Sequence, residues 1–154
     1  MESLKSYIGK ISEKEFMRLT KCIYDITASL GLDYPHYKDW YFKKQLPRFL
    51  MSKGDILFIR KKEDPKVIIA MASLKKDESE KKICTLFVVE QYRMQHLGSE
   101  LIRKSLLFLE TTKPVITFAD YKLFMFQSII DKYNWQLTDI VEDLHKELVY
   151  NRRC

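Results

Sequence analysis

Apolar positions along this chain change period several times, and each change marks an element. Phe16, Leu19, Ile23, Ile26 and Leu30 recur at spacings of three and four, which predicts an amphipathic helix over residues 13–30. Ser12-Glu13-Lys14-Glu15 precedes it as a capping box, in which Ser12 and Glu15 satisfy each other's orphan amides. Gly31 is expected to close that helix in the left-handed conformation. Upstream, Tyr7-Ile8-Gly9-Lys10-Ile11 reads as a short first strand. Beyond a loop at 32–36, an aromatic helix is expected over 37–52, carrying Tyr37, Trp40, Tyr41, Phe49 and Leu50. Pro47 lacks a backbone donor and kinks or splits it, and Gly54 is expected to stop it.

Three strand signals follow, Asp55–Arg60, Val67–Leu74 and Ile83–Val89, separated by charged turns at 61–66 and 75–82 as in an antiparallel meander. A helix from Gly98 to about Glu110 carries Leu101, Ile102, Ser105, Leu106 and Leu109 along one stripe. Pro114 precedes an apolar strand at Val115–Phe118, and a helix over Leu123–Tyr133 presents Phe126, Ile130 and Tyr133 on one side. Asn134 takes the left-handed exit that glycine usually fills, and Trp135–Ile140 and Glu147–Tyr150 are the final strands. Strand and helix alternate only in the second half. That order predicts a mixed α/β (α+β) fold: a central, mostly antiparallel sheet of about six or seven strands with one crossover and about four helices.

Composition agrees with a single domain over 1–154: 46% of the residues are hydrophobic, 31% are charged, and mean hydropathy is -0.28. No apolar run approaches the ~20 residues that span a bilayer, and the start of the chain lacks the apolar core of a signal peptide. Cys22, Cys84 and Cys154 are odd in number and lack metal-ligand spacing. Cys22 and Cys84 read as small buried hydrophobes and Cys154 as exposed, which suits a reducing cytoplasm. The net charge of +6 and pI of about 9.1 admit nucleic acid, an acidic surface or a polyphosphate ligand. The lysines are dispersed among Glu63, Asp64, Asp77, Glu78 and Glu80 at predicted turns, so a solvated face is favoured over a nucleic-acid footprint.

Candidate chemistry concentrates in Leu86-Phe87-Val88-Val89-Glu90-Gln91-Tyr92-Arg93-Met94-Gln95-His96-Leu97-Gly98-Ser99-Glu100-Leu101-Ile102, a strand, a tight basic turn and a helix start. Such a start gathers unpaired N–H groups and the positive end of the helix dipole, which suits a phosphate. The stretch resembles motif A of the GCN5-related N-acetyltransferase (GNAT) superfamily, usually Leu-x-Val-x-Pro-x-x-Arg-Gly-x-Gly-x-Gly. Leu86, Val88, Arg93 and Gly98 match it; Glu90 stands at the proline, and Met94 and His96 stand at the first two glycines. The predicted order of elements resembles the same fold over nearly the whole chain.

The resemblance implies acetyl-coenzyme A (acetyl-CoA) as acetyl donor. Its pantetheine arm would pair with Phe87-Val88-Val89, beside a splayed Val115–Phe118 strand. Its pyrophosphate would lie against the amides from Arg93 through Met94, Gln95, His96, Leu97 and Gly98 to Ser99. Arg93 and Gln95 would add side-chain contacts and Ser99 a hydroxyl. His96 either donates to a phosphate or is an exposed residue that tolerates the turn. A neutral amine would attack the thioester directly, and amides at a strand bulge would polarise its carbonyl.

Many members place an acid in a Phe-Tyr-x-x-x-Gly-Phe stretch. Ile130 stands at that tyrosine here, so Tyr133 becomes the candidate catalytic residue. Glu90, Glu80 or water would serve as base. Tyr34, His36, Tyr37, Trp40 and Tyr41 either wall an acceptor pocket or pack as core, and His145 reads as structural. The expected acceptor is an amine-bearing small molecule, a peptide terminus or a protein lysine, with no metal or membrane, in a monomer or homodimer. Two other readings stand beside it: acetylation of aminoacyl-tRNA, and a degenerate CoA-binding or interaction module.

Overall fold

A computed structural model describes residues 1–49, 51–93, 95–119, 122–142 and 146–152, with backbone alone at 119, 139–142, 146–149 and 151–152. Leu50, Met94, His145 and Cys154, on which some sequence expectations fall, lie outside the described residues. The elements are β1 (Glu2–Ser3), α1 (Glu13–Thr27), α2 (Tyr37–Trp40), β2 (Gly54–Arg60), β3 (Ile68–Lys76) and β4 (Lys81–Val88), then α3 (Leu97–Leu109), β5 (Val115–Ala119), α4 (Leu123–Tyr133), β6 (Trp135–Glu142) and β7 (Lys146–Arg152). Among the described residues the strands form one seven-stranded sheet in the order β1-β2-β3-β4-β5-β7-β6, in which only the β4–β5 pair is parallel.

Alternation along the strands divides the core in two. Ile56, Phe58 and Met71 face α1 and the α2 region, where they bury Leu4, Ile23 and Tyr41. Leu57, Ala70, Ala72 and Leu74 face the other way, onto Leu101, Ile102 and Leu109 of α3 and Ile130 of α4. Each fully buried aliphatic or aromatic side chain contributes about 1.5–3 kcal/mol. Ser12 caps α1 as expected, accepting from Glu15 N at 3.1 Å. Asn134 leaves α4 at φ 57°.

Five expectations are corrected. The first strand is Glu2–Ser3, not Tyr7–Ile11: a 3₁₀ turn over Leu4–Tyr7 and Gly9 at φ 79° break the extended run. Asp55 pins that turn, accepting from Lys5 N at 3.0 Å and from the Ser3 hydroxyl. Gly31 is not left-handed, because a 3₁₀ run over Ala28–Leu32 continues α1, and Leu30 O accepts from Tyr34 N at 2.9 Å. The helix expected over 37–52 is three short windings: α2, a π turn over Tyr41–Gln45 and a 3₁₀ turn over Leu46–Phe49. Pro47 supplies no N–H for a regular α ladder there. Gly54 opens β2 instead of stopping a helix, and Cys22 is exposed, not buried.

Asp55 has a pH consequence. Burial raises its carboxyl pKa, against the hydrogen bonds from Ser3, Lys5 and Ile56 that lower it. A folded pKa above the unfolded 3.8 means that the native state binds more protons, so stability falls as pH rises through the interval above 3.8. Asp55→Asn is expected to flatten that slope in urea denaturation followed across pH. A slope identical to the native chain's would assign the titration to another group.

Candidate functional site

The parallel pair β4–β5 carries the geometry that matters. The two strands register only at Lys82↔Val115 and Ile83↔Ile116, and beyond that point they part. A β-bulge sits at the parting: across β3, Ser73 faces Thr85 while Leu74 faces Ile83, which leaves Cys84 as the extra residue. Side-chain parity flips there. Ile83, Leu86 and Val88 face the α3/α4 core, and Phe87 faces the opposite one. Val89 N donates to Ile69 O on β3 at 2.9 Å, so Val88 turns its own N–H and C=O towards the gap.

The gap opens into a cleft of about 1010 Å³ that runs along β4 from Lys82 to Val89. The segment between α1 and α2 walls one side through Tyr34 and His36, and α2 through Tyr37 and Trp40. Thr117 and Phe118 of β5 and Met125 and Phe126 of α4 wall the other, with Phe126 stacked on Phe118 at 4.4 Å. Lys122 pairs with Asp33 at 2.6 Å, tying the α4 end to the α1–α2 segment.

The structure separates the aromatic residues that the sequence left as wall or core. Tyr34, His36, Tyr37 and Trp40 line the cleft, whereas Tyr41 is fully buried and donates to Thr20 O at 2.7 Å. The Tyr37 hydroxyl lies 2.8 Å from Thr27 Oγ1, and burial pushes its pKa up to about 12. It therefore stays protonated at neutral pH. Glu80 and Glu90, the two base candidates, both line the cleft at opposite ends of β4.

Of the expected donor-binding residues, Phe87, Val89 and Arg93 line the cleft. Arg93 folds back along the strand, its Nε donating to Val88 O at 2.9 Å and its guanidinium lying 5.8 Å from the Phe87 ring centre. Val88 and Leu97 pack against the α3/α4 core, while Gln95 and His96 are exposed on the turn. His96 adopts φ 62°, the left-handed conformation for which the motif ordinarily supplies glycine. Histidine is among the few residues enriched in that region, so the turn survives the exchange. Glu100 N makes the first bond of α3, to His96 O at 3.1 Å, so the amides of Leu97, Gly98 and Ser99 precede it at the positive pole.

Tyr133 lies elsewhere. Its hydroxyl donates to Ser99 O at 3.4 Å, its ring packs near Trp135, and it is not among the described residues lining the cleft. It joins α4 to the first turn of α3, and nothing in this placement supports the expected acid role. Sequence reasoning missed Arg48, Lys82, Cys84 and Thr85, all of which face the cleft. The one signal for Cys84 and Thr85 is the parity break along β4. Burial raises the Cys84 thiol pKa, Lys82 and Arg48 pull it down, and Glu80 pushes it up. Among the described residues no cluster of His, Cys, Asp and Glu is arranged to hold a metal, and no helix is long and apolar enough to cross a membrane.

The profile of the acetyltransferase (GNAT) family matches residues 18–112, more than half of the sequence, and the chain belongs to that family. Solved structures share the fold at low identity. A Desulfovibrio desulfuricans protein named for the same family has a TM-score of 0.66 at 10% identity, over 86% of this chain and 90% of its own. The PaiA N-acetyltransferase of Thermoplasma acidophilum, solved with coenzyme A, has a TM-score of 0.57 at 15% identity, over 96% and 83%. Nourseothricin acetyltransferase has a TM-score of 0.57 at 7% identity, and the match covers 65% of each chain, just under two-thirds of that protein. No curated protein sequence matches the chain.

Proposed function

We propose that the chain transfers an acetyl group from acetyl-CoA to a primary amine. The observation that carries this reading is the gap between β4 and β5, which opens at a bulge into a cleft lined as far as Arg93, in the turn that precedes α3. The residues fit the donor. The β5-facing edge of β4 beyond Ile83 has no strand partner in that register, so Val88 and its neighbours can pair with an amide-bearing arm. Arg93, Gln95, His96, Leu97, Gly98 and Ser99 form the turn and helix start that would receive the diphosphate. Met94 belongs to the same stretch.

The acceptor nitrogen attacks the thioester carbonyl; a C–N bond forms, the C–S bond breaks, and the nitrogen gives up a proton. An ammonium of reference pKa ~10 must first lose a proton. Glu80 is our candidate for this: it lines the cleft at the Lys82 end of β4, and Lys75 holds it at 3.2 Å. The leaving thiolate takes its proton from solvent or from the acceptor's own ammonium. Backbone amides at the bulge would polarise the acetyl carbonyl.

Acetyl-CoA should raise the thermal midpoint, because a ligand of the native state alone adds apparent stability. CoA release should then be measured over an amine panel. No shift at saturating acetyl-CoA would reject the reading. Glu80→Gln is expected to lower kcat at neutral pH by about a hundredfold, within the range for a general base, with recovery at alkaline pH as the free amine becomes abundant. A pH profile parallel to that of the unaltered chain would give the proton to water instead.

A further inference from the structure

We propose that the acceptor end of the cleft selects an amine that also bears an anionic group, a carboxylate or a phosphate, held by Arg48 and Lys82 with the amine towards Glu80. The proposal rests on the acetyl-transfer reading above. Its basis is a guanidinium set into the cleft by neutral groups. Arg48 is half-buried and lies 5.8 Å from the Trp40 ring centre. Its Nη1 donates to Gln45 Oε1 at 2.6 Å and approaches Cys84 Sγ at 4.0 Å. Gln45 is itself fully buried, with Nε2 donating to Leu74 O at 3.0 Å and Asp55 O at 3.2 Å. The charge is therefore aimed before any ligand arrives.

Several cations of this chain pair with acids, among them Arg60 with Glu2 at 2.6 Å, Arg103 with Glu100 at 2.5 Å and Lys122 with Asp33 at 2.6 Å. Among the described residues no carboxylate lies within ion-pair distance of Arg48 or Lys82. The acids of the adjoining hairpin lie on Lys75, Asp77 at 3.5 Å and Glu80 through Oε1 at 3.2 Å, which leaves Glu80 Oε2 for the amine. Both polar contacts of Arg48 use Nη1, which leaves the Nε–Nη2 edge to present the planar fork that suits carboxylate or phosphate. Arg48 Nη1 lies 4.0 Å from Cys84 Sγ, Lys82 stands two residues before Cys84 on β4, and both line the cleft, so the two cations flank the bulge where the acetyl group would lie. Two unneutralised cations there repel an amine that carries only positive charge. An amine that brings its own anion satisfies them, and Glu80 receives the ammonium.

The decisive experiment needs no turnover. The Arg48 side-chain Nε resonance is followed by NMR during titration with acetate, inorganic phosphate or acetamide, without CoA. It should move with an anion and not with acetamide, and the stronger of the two anions names the group. An Arg48 resonance that moves no more with anions than with acetamide overturns the proposal. Transfer is then compared for β-alanine against β-alaninamide and for phosphoethanolamine against ethanolamine. The anionic member should lead in kcat/KM by about tenfold or more, mainly through KM. Arg48→Met should reduce that preference to about twofold, as expected for loss of one charge-assisted contact. Lys82→Met, at the other cation of the pair, serves where Arg48→Met fails to fold. Equal or better use of the neutral members by the unaltered chain overturns the proposal even where transfer itself is robust. Anion binding with no transfer to any amine rejects the transferase reading and upholds the anion site.

Discussion

Arg93→Ala is expected to weaken acetyl-CoA binding by about ten- to a hundredfold, the range for a charged hydrogen-bonding group, while the ligand-free thermal midpoint barely moves. The side chain has two duties in the structure. Its Nε–H holds the Val88 carbonyl at 2.9 Å, and its charge lines the cleft from the turn that precedes α3. Removing it takes a cation from the diphosphate and releases the carbonyl to water, which solvates it at little cost because the site is only half-buried. Arg93→Lys keeps the charge but not the fork, so it should recover part of the affinity. Titration calorimetry with acetyl-CoA, paired with a thermal melt, measures both. Full affinity in Arg93→Ala would move the diphosphate away from this turn.

The sheet and the flanking helices were legible because their signals are local. The helix over Leu123–Tyr133 and the meander strands follow from spacing and turn chemistry within a dozen residues. The first strand was not legible. Its formation depends on Asp55 pinning Ser3, 52 residues away, and Lys5, 50 residues away. The π and 3₁₀ windings after α2 follow from Pro47 together with the Gln45 contacts to β2 and β3, and no periodicity records such a combination. Cys22 sits on the helix with the apolar stripe but one position off it, and faces solvent.

The candidate site shows the same division. Motif A marked the turn and helix start because its residues are contiguous. His96 shows why missing glycines did not break the turn: the backbone kept the left-handed conformation and another residue bears the cost. Helical spacing from Ile130 points to Tyr133, but helical phase alone does not say whether a residue faces the cleft or the neighbouring helix. It faces α3. Arg48 carried no sequence signal, since its role depends on a buried amide three residues earlier and on strands up to 36 residues later.

That corner supports the second large effect, expected for Gln45→Met. The Gln45 amide bridges the carbonyls of Asp55 and Leu74, which face each other in the β2–β3 register, and its oxygen receives Arg48. The packing around it is tight: a Cβ on Gly54 would lie 2.8 Å from Leu74 O and 3.0 Å from Arg48 Cβ. Methionine conserves length and volume, so the change removes hydrogen bonds while opening little cavity. Two buried carbonyls lose a donor and a guanidinium loses its acceptor, which should cost about 2–4 kcal/mol in urea denaturation. Arg48, no longer held, should also lose its Nε response to phosphate while its charge remains. The stability loss and the lost anion response belong together in this geometry. A destabilised variant whose Arg48 still responds fully would mean that Trp40 and the cleft wall, not Gln45, place the guanidinium.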